Sequence, residues 1–228
     1  MAFPVLLDTN VLFGGYLCDT LLRLAEAETF RPLWSEDILD ELARNLVIRG
    51  LRADQVHRRI DQMRRAFPDA LVEGYEPLID SMTCDPKDRH VLAAAVRANA
   101  ELLVTLNLAD FPSVSTDPYD IAAVHPDEFL LDQLDLYPGH TLRALQAQSA
   151  AYTHPVRTVE GVLAQLAKSG VHGFSDEVRR HLQAQAPAPS PRAATENGYQ
   201  NCSQSPPSHP PRRKPKGPPP TSPQVTDP

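Results

Sequence analysis

Short apolar runs alternate with longer amphipathic segments over the first 135 residues of the chain. Three runs, PVLLD (4–8), ELLVT (101–105) and IAAV (121–124), have the length and the branched side chains of buried strands. Helices are predicted between and after them, over 11–27, 36–48, 53–67, 88–99 and 126–134. Helices that alternate with strands predict an α/β fold in which helices cover both faces of a central parallel sheet.

The chain continues beyond this alternating part in two steps. Residues 139–186 have the pattern of a helical extension, with breaks predicted near Pro155 and Gly173. Residues 187–228 hold 13 of the 23 prolines and a single aromatic residue, so they cannot bury enough apolar surface to offset the entropy of ordering. The predicted organisation is therefore an α/β domain over 1–138, a helical extension, and a disordered, proline-rich basic tail.

Composition and charge narrow the class of protein. The formal net charge is −7, and because the tail is basic, the rest of the chain is more acidic still. Such a protein does not bind nucleic acid by bulk attraction to the phosphate backbone. No stretch approaches the roughly 20 apolar residues that a membrane span needs. The opening residues lack the basic segment of a signal peptide, and three cysteines form no disulfide framework. A cytoplasmic location is expected.

Oxygen-bearing side chains follow the first two predicted strands. Asp8 comes directly after PVLL, while Thr105, Asn107 and Asp110 come where ELLVT ends. The carboxyl ends of parallel strands meet at one edge of a sheet, where ligands bind in open α/β folds. Each residue alone is explained equally well as a turn or a helix cap, since Asp, Asn and Thr favour both.

Two predicted helices bring further carboxylates. Glu41 lies on the border of the apolar stripe of helix 36–48, whereas Asp40 points to solvent. In the segment DPKD, Asp85 has the position of an N-cap before Pro86, which leaves the second acid, Asp88, without a structural explanation. A solvated helix acid remains the commoner fate of any glutamate.

These acids are more informative together than singly. Two strands and two helices each direct oxygen ligands to one predicted edge of the sheet, where clustered carboxylates repel one another. A hard dication such as Mg²⁺ or Mn²⁺ removes that repulsion and accepts oxygen ligands. The eight histidines show no metal-binding spacing, and His90 is expected to be structural or peripheral.

The four segments MAFPVLLDTNVLF, the helix with Glu41, DPKDRHVLAAAV and LLVTLNLADFP together resemble the PIN domain in order and spacing. The resemblance extends over residues 3–135, and HPDEFL resembles the segment that closes this domain. It implies a three-layer α/β/α sandwich with a central parallel sheet. Many members of the family are Mg²⁺- or Mn²⁺-dependent ribonucleases, including the VapC-type toxins of bacterial toxin–antitoxin pairs.

The resemblance also implies roles for individual residues. Asp8 matches the first metal ligand of the family, Glu41 the second acid and Asp88 the third, and Asp85 resembles an extra acid that some members carry. Metal-dependent hydrolysis of an RNA phosphodiester would then leave 5′-phosphate and 3′-hydroxyl ends.

The fourth segment departs from the family pattern. Where the family commonly has Thr-x-Asp, this chain has Thr105-Leu106-Asn107, and the next acid is Asp110. Asp110 and Asn107 are predicted to help a second ion, and Thr105 to position a water or a phosphate oxygen. The neutral Asn107 puts a strong second metal site in doubt, but not the fold.

A cluster of arginines is a candidate surface for RNA. Seven of them fall between 44 and 65, among them Arg52 and Arg59, which we expect to contact phosphates; a merely solvated pair of helices explains them equally well. The implied partners are an RNA substrate, a cognate antitoxin and a second copy of the chain. Two other hypotheses remain open: another metal-dependent phosphoesterase, and a non-catalytic PIN-like module that binds RNA or protein.

Overall fold

A computed structural model of the chain describes residues 2–185 and contains one sheet of five strands. Every pairing in the sheet is parallel, and the strand order is β3-β2-β1-β4-β5. The strands are β1 (Pro4–Leu7), β2 (Arg31–Ser35), β3 (Leu71–Val72), β4 (Leu102–Val104) and β5 (Ala122–Val124). The α/β fold with a central parallel sheet is therefore confirmed.

The first strand of the chain is the central strand of the sheet. Val5 pairs with Pro32 of β2 on one side and with Leu102 of β4 on the other. Helices cover both faces, so Val5, Leu6 and Leu7 are fully buried. Strand order reverses at the β1–β4 boundary, and a crevice forms at such a switch point, outside the carboxyl ends of the strands.

Ten helices surround the sheet in the described part of the chain. They are α1 (Thr9–Phe13), α2 (Gly15–Glu26), α3 (Glu36–Ile48), α4 (Ala53–Ala66), α5 (Arg89–Arg97), α6 (Ser113–Thr116), α7 (Pro126–Leu136), α8 (Pro138–Ala151), α9 (Val159–Lys168) and α10 (His172–Gln185). Short 3₁₀ turns precede α5 and follow β4, over Pro86–Asp88 and Leu108–Asp110. None of these helices has the length and apolar character needed to cross a membrane.

Three features of the sheet domain differ from the prediction. The helix predicted over 11–27 is two helices, because the backbone is extended at Gly14 (ψ 119°). Strands β2 and β3 were not predicted. Pro32 gives β2 a residue without an N–H donor, and β3 has only two residues, too few to show an alternating pattern.

The C-terminal helices differ from the prediction at one break. The break near Pro155 is confirmed, because α8 and α9 are separated there. The break predicted near Gly173 is also present, but it falls three residues earlier, at Gly170, which has a φ of +91°. Gly173 lies in the first turn of α10, where its backbone N–H donates to Asp127 Oδ2 at 2.9 Å.

Buried polar contacts connect the C-terminal helices to the sheet domain. Thr20 Oγ1 in α2 donates to Gln148 Oε1 in α8 at 2.7 Å, and Gln148 Nε2 donates to the Tyr16 carbonyl at 3.0 Å. Residues 2–185 accordingly belong to one compact unit, and the predicted boundary after 138 falls one residue inside α8, which packs against α7. The predicted disordered tail, 187–228, lies outside the described residues.

Candidate active site

A cleft of about 600 Å³ opens at the carboxyl ends of β1 and β4. Three of the predicted acids line it: Asp8 after β1, Glu41 on α3, and Asp88 before α5. Asn107 lines it too. A larger cleft, of about 690 Å³, lies at the opposite, amino ends of the strands, but Glu28 and Asp69 are its only acidic wall residues. The predicted chemistry therefore belongs to the cleft at the switch point.

Asp8 is the most buried acid of the cleft, with 5% of its surface exposed. Its Oδ2 accepts hydrogen bonds from Asn10 Nδ2 and from Thr105 Oγ1, the latter at 2.7 Å. Burial raises the pKa of Asp8, hydrogen bonds from the Thr105 side chain and the Thr9 backbone oppose the rise, and the nearby charge of Glu41 adds to it. Ionisation of Asp8 therefore costs free energy, and its hydrogen bonds hold the carboxylate in one position.

Asn10 connects the ends of the two central strands, a role that the sequence analysis missed. Its Nδ2 also donates to Thr105 Oγ1 at 2.9 Å, and its Oδ1 accepts from the backbone N–H of Leu106 at 2.9 Å. The available signal was an asparagine two positions after the acid at a strand end. Asp8, Asn10 and Thr105 are called the strand side of the cleft below.

Glu41 approaches the cleft from α3, which begins where Ser35 Oγ accepts from the Ile38 N–H at 3.3 Å. The Glu41 Oε2 atom accepts from Thr9 Oγ1 at 2.9 Å. Asp40, its neighbour, is exposed, as predicted. Which of two adjacent acids enters the cleft is therefore decided by the position of each on the helix.

His90 lies closer to the acids than expected. Its Nδ1 is 3.0 Å from the Lys87 carbonyl oxygen, and since a carbonyl only accepts, Nδ1 is the protonated nitrogen. The other nitrogen, Nε2, is then directed toward Glu41, at 4.0 Å from Oε2.

The opposite wall of the cleft is formed by the two 3₁₀ turns, Pro86–Asp88 and Leu108–Asp110. We call this region the turn side, and its residues are Lys87, Asp88, Asn107 and Asp110. Asp88 is hydrogen-bonded to Asp110, and its pKa is raised to about 7 by burial first, then by that hydrogen bond and by the charge of Asp8. Asp110 does not line the cleft itself. It contacts three residues that do: Lys87, Asp88 and Asn107.

Asp85 has the capping role that its position before a proline predicts. Its Oδ1 accepts from the Lys87 backbone N–H at 3.1 Å, and its own N–H donates to the Asp110 carbonyl at 3.1 Å. It does not line the cleft. The metal-ligand role implied by the family resemblance therefore remains a prediction, for which these contacts offer a structural alternative.

Lys87 is the residue of the turn side that the sequence analysis did not consider. Its Nζ lies 3.0 Å from Asp110 Oδ2 and 3.8 Å from Asp88 Oδ2. The hydrogen bond to Asp110 raises the pKa of Lys87, and the same contact lowers the pKa of Asp110. The positively charged Lys87 ammonium thus lies beside Asp110 and Asp88.

The carboxylate and amide oxygens of the cleft are the kind of ligands that a hard dication binds, but the side chains are not positioned to coordinate one ion together. Within residues 2–185, no three histidine, cysteine or acidic side chains stand close enough to hold one ion as they are placed. Glu41 is turned toward Thr9, and Asp88 toward Asp110. Carboxylate oxygens are what Mg²⁺ and Mn²⁺ bind, and the raised pKa values of Asp8 and Asp88 show charge that a cation would compensate. A cation held by these acids would require Glu41 and Asp88 to turn away from their present partners.

The predicted arginine surface is only partly available. Arg59 is half-buried and donates to the Leu12 carbonyl at 2.7 Å, so its guanidinium is engaged inside the protein. Arg52 is exposed and paired with Asp54 at 3.2 Å. Arg49 lines the cleft itself. The arginine of this cluster that lines the cleft is thus Arg49, and not either of the two singled out from the sequence.

Comparison with known protein families agrees with this geometry. Residues 4–109 match the PIN domain, and residues 126–180 match the VapC50 C-terminal domain. The chain belongs to the PIN domain family. It is 45% identical over 118 residues to a protein of Mycobacterium tuberculosis (strain ATCC 25618 / H37Rv) named "Putative ribonuclease VapC50", a match that covers 52% of this chain and 69% of the relative. No solved structure matches the chain significantly.

The second match locates the C-terminal helices more exactly than the sequence pattern does. It begins at Pro126, the first residue of α7, whereas the predicted extension begins at 139. In the structure α7 and α8 are separated by Tyr137 alone. The region that matches the VapC50 C-terminal domain therefore starts with the helix that directly follows β5.

Proposed function

We propose that this protein is a metal-dependent endoribonuclease that hydrolyses RNA phosphodiester bonds. The observation that carries the proposal is that Asp8, Glu41 and Asp88, from a strand, a helix and a turn, face one cleft at the switch point of the sheet. Similarity to a relative with ribonuclease in its name supports it.

Within this proposal, Asp8, Glu41 and Asp88 hold Mg²⁺ or Mn²⁺, directly or through water. A bound dication supplies an activated water and neutralises charge on the phosphate. Asn10 and Thr105 orient the Asp8 carboxylate, and Thr9 orients that of Glu41. None of the acids needs to act as a free base.

The proposed substrate, RNA, is negatively charged and so is the protein as a whole, so binding depends on the local positive charges of the cleft. Arg49 and Lys87 stand on its walls and are placed to contact phosphate oxygens. Arg52, exposed at the start of α4, is a more distant contact. Arg59 keeps its predicted role only if its bond to the Leu12 carbonyl opens.

The biological role that we propose is that of the toxin in a toxin–antitoxin pair. The VapC50 name of the relative supports it, and so does the match of 126–180 to a domain of that name. A cognate antitoxin and a homodimer are further predictions. Co-purification with the product of the neighbouring gene would test the first, and light scattering of the pure chain the second.

A non-catalytic PIN-like module is the second candidate function. It is favoured by the neutral Asn107 in the fourth segment, and by acids that make ion pairs and hydrogen bonds within the protein. The two candidates differ in whether the pure chain binds Mn²⁺ and cleaves RNA.

The test uses the full chain, Mn²⁺ and end-labelled RNA, with DNA and a chromogenic phosphomonoester in parallel. Glu41→Gln and Asp40→Asn are matched variants, because both remove one charge from α3 but only Glu41 lines the cleft. We expect RNA fragments with 5′-phosphate ends, which EDTA and Glu41→Gln abolish and Asp40→Asn leaves unchanged. Hydrolysis of the monoester or of DNA alone would indicate another phosphoesterase. No cleavage and no bound Mn²⁺ would indicate the non-catalytic module.

A further inference from the structure

Lys87 places an ammonium group in the half of the cleft where a second metal ion would be expected. Its Nζ is within 4 Å of one oxygen each of Asp110 and Asp88, at 3.0 and 3.8 Å. Among the described residues it is the only lysine or arginine that forms an ion pair with an acid of the cleft or of its turn side. An ammonium that close to two carboxylates compensates part of the charge that a second dication would bind.

The backbone of Lys87 is held in place on both sides of the residue. Its N–H donates to Asp85 Oδ1 at 3.1 Å, and its carbonyl accepts from His90 Nδ1 at 3.0 Å. Pro86 restricts the preceding residue of the turn. The side chain therefore extends from a fixed point of the backbone, and its exposed ammonium is held by its contacts with Asp110 and Asp88.

The Asp110 oxygen that faces Lys87 is already satisfied by two donors. Asp110 Oδ2 accepts from the Lys87 ammonium and from the amide Nδ2 of Asn107. Asn107 is moreover neutral where the family pattern has an acid. A second dication on the turn side would have to displace Lys87 and would gain only a neutral oxygen from Asn107.

We infer that Lys87 takes the place of the second metal ion: the cleft binds a single Mg²⁺ or Mn²⁺, and the Lys87 ammonium supplies the other positive charge facing the phosphate. The inference rests on the proposed function only in naming a phosphate as the group that Lys87 faces. An exposed ion pair with no such role is the competing explanation, since such pairs contribute little to stability.

The inference predicts how many ions bind, which is measured without any RNA. Free Mn²⁺ is followed by electron paramagnetic resonance as it is titrated into the full chain. We expect one bound Mn²⁺ in the wild type. In Lys87→Gln we expect a second, because removal of a like charge about 4 Å away strengthens binding of a dication by about tenfold or more. Lys87→Arg should restore one ion.

Arg49→Gln is the matched control, because it removes the same charge from another wall of the same cleft. It should leave the number of bound ions at one. Circular dichroism of each variant checks that the fold is retained.

Each outcome decides between the two claims. Two ions of similar affinity in the wild type overturn the inference. A single ion in Lys87→Gln also overturns it, because Asn107 and not Lys87 would then be what excludes a second metal ion. One ion that becomes two, in a protein that cleaves no RNA, supports the inference and refutes the proposed function. RNA cleavage by a wild type with two bound ions refutes the inference and supports the proposed function. A wild type that binds no Mn²⁺ refutes both.

Discussion

Asp8 and Asp88 face the same cleft, but the strand side and the turn side hold them in different ways. Asp8 is almost fully buried and accepts hydrogen bonds from Asn10, in the helix that follows β1, and from Thr105, directly after β4. Asp88 belongs to a 3₁₀ turn and is held by a carboxylate partner and a nearby ammonium. One side is fixed by the sheet, and the other by side-chain contacts that a cation or a substrate can replace.

The difference bears on the proposed function. If the cleft binds a dication, Asp8 on the strand side is the ligand whose position is already set, and Glu41 and Asp88 would have to turn from their present partners toward it. A positive charge, that of Lys87, lies on the turn side. The predictions below test this division of roles.

The largest effect is expected for Asp8→Asn on the strand side. The variant keeps the shape of the side chain but removes the fixed charge, so RNA cleavage should fall by about 10²–10³-fold, the loss typical of one preorganised electrostatic group. Cleavage of labelled RNA measures the effect, and Mn²⁺ affinity should fall with it. Retention of both would show that Asp8 does not define the metal position.

The second effect concerns Asn10, which connects the strand ends. Asn10→Ala leaves the Leu106 N–H without its side-chain acceptor and the Asp8 carboxylate with Thr105 as its remaining side-chain donor. Activity should fall by about 10–100-fold, as for other residues that orient a metal ligand. Asn45→Ala is the matched control, because Asn45 also lines the cleft but makes no side-chain hydrogen bond among the described residues. Equal losses in both variants would contradict an orienting role.

The third effect is a dependence of metal stabilisation on pH. Without metal, the folded Asp88 keeps its proton up to about pH 7, whereas the unfolded carboxyl loses it above about 3.8. The folded state thus binds more protons in this window, so the free energy of unfolding contributed by Asp88 falls as the pH rises through it. Mg²⁺ stabilises the ionised form and offsets that loss.

The rise in Tm on addition of Mg²⁺ should therefore be larger at pH 8 than at pH 6. Differential scanning fluorimetry with and without Mg²⁺ measures it, and Asp40→Asn, which changes an exposed acid outside the cleft, should behave as the wild type does. A rise in Tm that is independent of pH would mean that the turn-side acids take no part in binding the ion.

The smallest effect is expected for Asp85, which distinguishes a helix cap from a metal ligand. Asp85→Ala removes the acceptor of the Lys87 N–H and should cost about 1 kcal/mol of stability. Asp85→Asn retains a capping oxygen, and its stability and RNA cleavage should match the wild type. If Asp85→Asn loses as much activity as Asp88→Asn, Asp85 is a ligand after all.

Much of the scaffold and part of the candidate site follow from local sequence. The apolar runs at 4–8 and 101–105 identify the two strands that carry Asp8 and Thr105, and the wheel position of Glu41 distinguishes it from Asp40. The edge strand β3 has no pattern of its own, because a strand of two residues is formed by its pairing with β2.

The contacts that arrange the site could not be predicted in the same way. The hydrogen bond from Asn10 to Thr105 joins residues 95 positions apart, and no local period reports it. From the sequence alone, Lys87 is a solvated residue at the start of a helix. Its contact with Asp110 arises because the turn after β4 brings the two residues together in the fold. Helix position distinguishes Glu41 from Asp40, but the partners of the acids are set by tertiary contacts between side chains far apart in the sequence.

The central position of β1 also governs when the site can form during protein synthesis. Asp8 leaves the ribosome 97 residues before its hydrogen-bonding partner Thr105. Until then β1 lacks its neighbour β4, and the crevice between the two does not exist. A nascent chain therefore acquires the complete cleft only after the fourth strand has emerged.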